Sequence, residues 1–206
     1  MDENRQHRMD ALENSGIFAQ SRQAFHGARY EFATKYVDGR SIADVACGLG
    51  YGSRILRHAG ATTVMGIDLS VEAIHYAQFQ HGFDGIMYMI ADATRLPIRE
   101  SSIDVITSFE TIEHIPNTGD FLTELARILR PDGTLIVSSP NDWGLTNHHC
   151  HTWTPFEFMA EVAAFFKIES VWEQNSNPKE SASLGIKHWS EETERSAECL
   201  IIVARQ

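Results

Sequence analysis

Two short stretches concentrate the residues able to do chemistry. In Phe109-Glu-Thr-Ile-Glu-His-Ile-Pro116, the side chains of Glu110, Glu113 and His114 stand at i, i+3 and i+4. One helical turn would point all three the same way. Two crowded carboxylates repel unless positive charge lies between them, and a divalent cation would supply it. The other reading is an exposed acidic turn, with Glu110 touching a cofactor and His114 capping a helix. On these residues alone the choice stays open. Further along, Asn147-His-His-Cys-His-Thr-Trp153 holds three histidines in four residues, a density unusual for a plain connector.

A third stretch, Ser41-Ile-Ala-Asp-Val-Ala-Cys-Gly-Leu-Gly-Tyr-Gly-Ser53, reads as a strand, a tight turn and the start of a helix. Glycines at 48, 50 and 52 let backbone N–H groups approach a ligand that a Cβ would block. The helix N-terminus adds a partly positive pole. Many nucleotide sites share such a turn, so the elements around it must decide which ligand it holds.

Those elements alternate. The pattern predicts strands over 41–46, 63–67, 86–90, 103–109, 134–139, 167–174 and 199–204, and helices over 21–37, 51–60, 70–80, 117–129 and 154–165. Gly39 ends the first helix, and Ser70 is a good N-cap. Arg130-Pro131-Asp132-Gly133 stops the fourth helix. Thr154-Pro155-Phe156-Glu157 has the residues of a capping box with proline in the first turn. Residues 1–16 read as a polar arm and 175–196 as a long connection or lid. No repeat or linker divides the chain, so 1–206 is expected to be one domain. Strands separated by helices predict an α/β fold, a parallel sheet covered on both faces. Ligands in such sheets sit beyond the carboxyl ends of the strands. Asp44, the glycines, Asp68, Asp92, Glu110 and Asn141 all fall there.

Asp68 closes the second strand, where an acid can accept both hydroxyls of an adenosine ribose. Its alternative is an acid favouring the helix that follows. Asp92 closes the third strand and is placed to accept an adenine amino group; its alternative is a solvated loop acid. A dinucleotide fingerprint is excluded, because its third glycine would fall at Ser53.

The D-x-x-x-G-x-G-x-G turn, with Asp92-Ala-Thr-Arg-Leu-Pro97, Ser102-Ile-Asp-Val-Ile106 and Leu129-Arg-Pro-Asp-Gly133, resembles the class I S-adenosylmethionine-dependent methyltransferases over residues 25–204. The resemblance implies a Rossmann-like, seven-stranded, mostly parallel sheet whose last strand is antiparallel. It implies S-adenosylmethionine as cofactor, with Asp44, Ala46, Gly48 and Gly50 around the methionine portion. Asp68 would take the ribose with Leu69 beside it, and Asp92 with Ala93 the adenine. Arg29, in His26-Gly-Ala-Arg-Tyr30, would pair the cofactor carboxylate; its alternative is a surface arginine. Ala46 departs from the family, which usually has glycine there.

The E-x-x-E-H pattern, followed by His149 four residues before Trp153, is similar to a metal-dependent group. This group includes methyltransferases of the 2′-hydroxyl at small-RNA 3′ ends, and in part the ubiquinone-pathway O-methyltransferases. That resemblance implies Glu110, Glu113, His114 and His149 as ligands of a divalent metal, Mg²⁺ or Mn²⁺ foremost. His114, His148 and His151 are then the candidate catalytic residues. Mixed oxygen and nitrogen ligation suits such ions better than Ca²⁺. The ion would grip two adjacent hydroxyls and acidify one, a free histidine would take the proton, and the methyl would lie in line. A vicinal diol follows: a sugar, a ribose end or a catechol.

H-x-x-R-Y and F-E-T-I-E-H also look like bacterial methyltransferases of surface polysaccharides and sugars, which favours a small-molecule or glycan acceptor. A net charge of −11, from 17 basic and 28 acidic residues, disfavours nucleic acid. No apolar run approaches the roughly 20 residues of a membrane span, and no secretory signal is visible. Three cysteines at unrelated spacing suggest free thiols in a cytoplasmic setting. A monomer or homodimer is expected. Three alternatives remain: a metal-free methyltransferase of a quinone, catechol or amine using His114 alone, a small-RNA 3′-end enzyme, and a non-catalytic cofactor-binding protein.

Overall fold

The computed structural model describes residues 16–82, 85–141, 149–175, 185–191 and 197–206. His148, Trp143, residues 1–15 of the expected arm and most of 175–196 lie outside the described residues. The first helix, α1 (Gly16–Ala33), runs into a 3₁₀ turn at Thr34–Tyr36. Then follow β1 (Ser41–Val45), α2 (Tyr51–His58), β2 (Thr63–Asp68), α3 (Val71–His81), β3 (Ile86–Ile90) and β4 (Ile103–Phe109). A 3₁₀ turn at Ile112–His114 leads to α4 (Thr118–Ile128), β5 (Leu129–Pro140), α5 (Pro155–Ala163), β6 (Lys167–Gln174), β7 (Ile186–His188) and β8 (Cys199–Arg205).

The strands form one sheet in the order β3-β2-β1-β4-β5-β8-β6-β7. The first five are parallel, and β8 inserts antiparallel between β5 and β6. Side chains alternate between two apolar layers, as the period-two pleat requires. Ile42, Val105, Ile136 and Ile201 pack against Phe32 and Leu56 on one face. Ala43, Ile106, Leu135 and Ile202 pack against Phe121, Leu125 and Phe158 on the other. A sheet so buried on both sides leaves its strand ends as the place where polar side chains gather.

The expected α/β sheet is present, but it has eight strands where seven were anticipated. The extra strand, β7, lies in the stretch read as a lid and pairs antiparallel with β6. Side chains hold it there: Lys187 Nζ lies 3.0 Å from the buried Glu173 carboxylate, and the His188 ring stacks on Trp172 at 3.6 Å. β5 also starts earlier than expected. Leu129 leaves the helix in an extended conformation and pairs with Ile103, so Arg130 to Gly133 continue a strand.

The caps follow the sequence. Ser70 accepts the Ala73 amide, and Thr154 and Glu157 form the reciprocal capping box. Among the described residues no helix is long and apolar enough to cross a membrane.

Candidate active site at the carboxyl ends of the strands

Beyond β1 the chain turns left-handed at Ala46 (φ 61°), Gly48 (φ 55°) and Gly50 (φ 81°). A Cβ on Gly50 would stand 2.6 Å from the Ala77 methyl and 2.7 Å from Tyr88 Oη, and one on Gly52 would overlap the Tyr30 ring. Gly48 differs, because nothing lies within 4 Å of where its Cβ would be. The turn is thus packed on its protein side at 50 and 52 and open at 48, where a ligand can approach the backbone.

Asp44 is fully buried beneath this turn. It accepts hydrogen bonds from Ser53 Oγ at 2.6 Å, Thr107 Oγ1 at 2.9 Å and Tyr30 Oη at 3.2 Å. Burial pushes its carboxyl up to about 6, against the three donors, which favour the charged form. In this arrangement Asp44 ties α1, the start of α2 and β4 to one point.

Asp68 uses both carboxylate oxygens. One accepts the Gly48 amide at 2.9 Å and the other the Ser70 amide at 2.8 Å. The helix-start reading of this residue is met by the Ser70 bond, and the Gly48 bond ties the same side chain to the glycine turn. Leu69 beside it is 70% exposed, a large apolar surface next to the turn. Asp92 accepts the Thr94 amide and hydroxyl through one oxygen, at 2.9 and 2.7 Å, which holds its carboxyl below the usual range. Ala93 packs against the core on the same edge.

Arg29 is not the surface residue of the alternative reading. It is only 1% exposed. Its Nε donates to Gln174 Oε1 at 2.8 Å, one terminal nitrogen contacts His26 Nδ1 at 3.2 Å, and the other lies 3.6 Å from Glu110 Oε2. Gln174 in turn donates to the Phe25 carbonyl, which clamps α1 over the strand ends.

The second half of the site follows β4. Glu110 takes a left-handed conformation (φ 52°), and the 3₁₀ turn begins only at Ile112. The anticipated single turn carrying all three side chains is therefore broken before it starts. Glu113 and His114 share it, whereas Glu110 turns toward β5 and α1. Ser138 Oγ donates to Glu110 Oε1 at 2.9 Å, and Cys199 Sγ contacts the same oxygen at 3.2 Å.

Glu113 is 2% exposed, and neither carboxylate oxygen has a hydrogen-bond partner among the described residues. Burial first, and the Glu110 charge second, hold its carboxyl well above the usual carboxylate range; Arg29 works in the opposite direction. His114 Nε2 lies 3.8 Å from Glu113 Oε1. The His149 ring meets the His114 ring edge-on, 4.9 Å between centres. Glu113, His114 and His149 each offer a ligand atom, all within 4.8 Å of one another. The donor set and the orphaned carboxylate fit a divalent cation.

The histidine segment is positioned by the backbone. The Glu113 carbonyl accepts the amides of Cys150 at 2.7 Å and His151 at 3.2 Å. The His151 ring turns aside, stacking on Trp153 with Nε2 at 3.1 Å from the Ile115 carbonyl. Three residues that sequence reasoning did not single out complete the network: Ser138, Gln174 and Cys199. Their signal was positional, since each sits where β5, β6 or β8 meets the same edge of the sheet.

Residues 43–137 match the family model described as a methyltransferase domain. Over 152 residues the chain is 27% identical to the fatty-acid O-methyltransferase of Mycolicibacterium smegmatis, covering 70% of this chain and 54% of that protein. It is 34% identical over 108 residues to the malonyl-[acyl-carrier protein] O-methyltransferase of Pectobacterium atrosepticum, covering 52% of this chain and 42% of the other. The match thus spans about half the length of these curated relatives. Among solved structures, the fold superposes on a TehB-like S-adenosylmethionine-dependent methyltransferase from Corynebacterium glutamicum with a TM-score of 0.68. That comparison covers 99% of this chain and 97% of that one at 22% identity. The glycine turn and the acid beneath it lie within the residues that the methyltransferase-domain model matches, and the fold is the one shared with that solved structure.

Proposed function

We propose that the chain transfers the methyl group of S-adenosylmethionine to an oxygen of a small polar acceptor, a vicinal hydroxyl of a sugar or glycan foremost. In this reading a divalent cation, Mg²⁺ or Mn²⁺, is held by Glu113, His114 and His149. The observation that carries it is the Glu113 carboxylate, buried beside two imidazoles with neither oxygen hydrogen-bonded among the described residues. A buried polar group without a partner costs about 1–3 kcal/mol, and a charged one more. A cation between carboxylate and imidazoles removes that cost.

When bound, the ion would lower the pKa of a coordinated hydroxyl. The chain's own residues do the rest. Asp68 and the open face at Gly48 hold the cofactor against β1. The Glu113 carbonyl sets His149 beside His114 by fixing the segment that follows. The Ile115 carbonyl accepts from His151 Nε2 and the ring stacks on Trp153, so Nδ1 is the nitrogen through which His151 would act as a general base. His114 and His148 were the other candidates. His114 belongs to the cation cluster, and His148 lies outside the described residues.

A second reading rests on the relatives, whose names specify fatty acid and malonyl-acyl-carrier protein as acceptors. An acyl carboxylate could receive the methyl without a cation. Chelation separates the two. The protein is stripped with EDTA and offered S-adenosylmethionine with a panel of glycosides, catechols and fatty acids, before and after Mn²⁺ is restored. Methylation of a diol only with Mn²⁺ supports the first reading. Full methylation of a fatty acid in the stripped protein would replace it with the second.

A further inference from the structure

We infer that Glu110 is a switching ligand. Arg29 and Ser138 hold it away from the Glu113–His114–His149 cluster, and an anion arriving at Arg29, the carboxylate of the cofactor's methionine moiety, releases it to that cluster. Cation and cofactor then bind cooperatively. The inference rests on the cation site proposed above and adds to it the regulation of that site.

Arg29 is a cation almost wholly removed from water, which demands a nearby anion. Its close partners are the neutral Gln174 and the His26 ring; the carboxylate it faces, Glu110, stands off at 3.6 Å. Arg29 also lies beside the cofactor turn. Its neighbour Tyr30 donates to Asp44 beneath that turn and meets the Tyr51 ring, one residue past Gly50, at 5.7 Å. A ligand carboxylate entering along that turn would compete with Glu110 for the same guanidinium.

Glu110 is built to have two positions. Its backbone is left-handed (φ 52°), a conformation that a side-chain-bearing residue keeps only when its surroundings impose it. Ser138 supplies the imposition twice, accepting from the Glu110 amide at 3.1 Å and donating to Oε1 at 2.9 Å. The 3₁₀ turn that follows carries Glu113, whose carboxylate stands close enough for the Glu110 charge to act on it.

The direction of coupling follows from like charges. Once Arg29 is taken by a ligand carboxylate, Glu110 loses its counter-charge, and a cation placed between it and Glu113 relieves the repulsion of the two carboxylates. A cation bound without cofactor has three protein ligands; with cofactor it gains a fourth. Each therefore tightens the other, and by linkage the two factors must be equal.

The test uses the full chain and two titrations. Mn²⁺ binding is followed by electron paramagnetic resonance with and without saturating S-adenosylhomocysteine. S-adenosylhomocysteine binding is followed by calorimetry with and without Mn²⁺. The expected result is mutual tightening of about tenfold, equal in both titrations. Glu110→Gln should abolish the tightening. Ser138→Ala, which loosens the hold on Glu110 without touching Arg29, should raise Mn²⁺ affinity in the absence of cofactor. Mn²⁺ bound equally well in both conditions by the native protein, or tightening that survives in Glu110→Gln, overturns the switch while leaving the cation site standing. No Mn²⁺ binding in either condition removes the cation site itself, and the switch with it.

Discussion

The carbonyl of Glu113 accepts the amide of Cys150 at 2.7 Å. This one bond joins the turn after β4 to the histidine segment after β5. A backbone bond of this kind fixes the segment's course, and it sets His149 edge-on to His114. The side chain of Glu113 faces the imidazoles while its backbone anchors their carrier. One residue thus supplies a ligand and the scaffold for another.

Because those two roles use different atoms, they separate by mutation. Glu113→Ala keeps the carbonyl and removes the carboxylate. Methyl transfer should fall below detection, while S-adenosylhomocysteine affinity by calorimetry stays near the native value. Turnover close to native in this variant would make the cluster structural.

Asp68→Ala should do the opposite. It removes the acceptor of both the Gly48 and Ser70 amides. It also removes the proposed contact to the ribose hydroxyls; a hydrogen bond to a charged group is worth about 1.5–3 kcal/mol, so cofactor affinity should drop by roughly tenfold to a hundredfold. Asp92→Ala should cost less, since this exposed carboxylate holds only Thr94 and does not touch the glycine turn. Calorimetric titration of all three proteins with S-adenosylhomocysteine checks the ranking.

Asp44 gives stability a pH dependence. Its ordinary value of 3.8 is raised to about 6 in the folded protein. Between those values the folded state holds more protons than the unfolded one, so stability contributed by this group is full below about 4 and is lost as pH rises toward 6. Each pH step of one between those values costs about 1.4 kcal/mol, so the loss approaches about 3 kcal/mol. Asp44→Asn should flatten that part of the profile, whatever it does to absolute stability. Urea denaturation at stepped pH is the measurement, and an unchanged slope in the variant would refute the assignment.

The turn itself is testable through two opposite substitutions. Ala46 holds a left-handed conformation that costs an L-residue roughly 1–2 kcal/mol. Ala46→Gly should raise thermal stability slightly, the relief being partly offset by glycine's greater chain entropy. Gly52→Ala should lower it by about 1–3 kcal/mol, because the new methyl meets the buried Tyr30 ring. Thermal unfolding of the two variants should move in opposite directions.

Where apolar periodicity and turn residues agreed, the sequence was sufficient. The parallel core from β1 to β5 follows from alternating burial, and the Ser70 and Thr154 caps from local hydrogen bonding. β7 was missed because three residues, Ile186–His188, are too short to show a period, and the ion pair and ring stack that hold it come from distant Glu173 and Trp172. In the site, Glu113, His114 and His149 were legible as types at a spacing. The position of Glu110 was not, because it depends on a left-handed backbone and on Ser138 and Arg29, which share no local pattern with it. The burial of Arg29 was equally hidden. A helix residue's exposure is decided by what packs on it, here Gln174 at the end of β6.

Whether Glu113, His114 and His149 hold a cation beside the methyl donor is decided by diffraction from crystals grown with S-adenosylhomocysteine and Mn²⁺, collected for the anomalous signal of manganese. A peak is expected at bonding distance from a Glu113 carboxylate oxygen and from ring nitrogens of His114 and His149. A well-ordered cofactor with no anomalous peak among those three side chains would rule the cation site out.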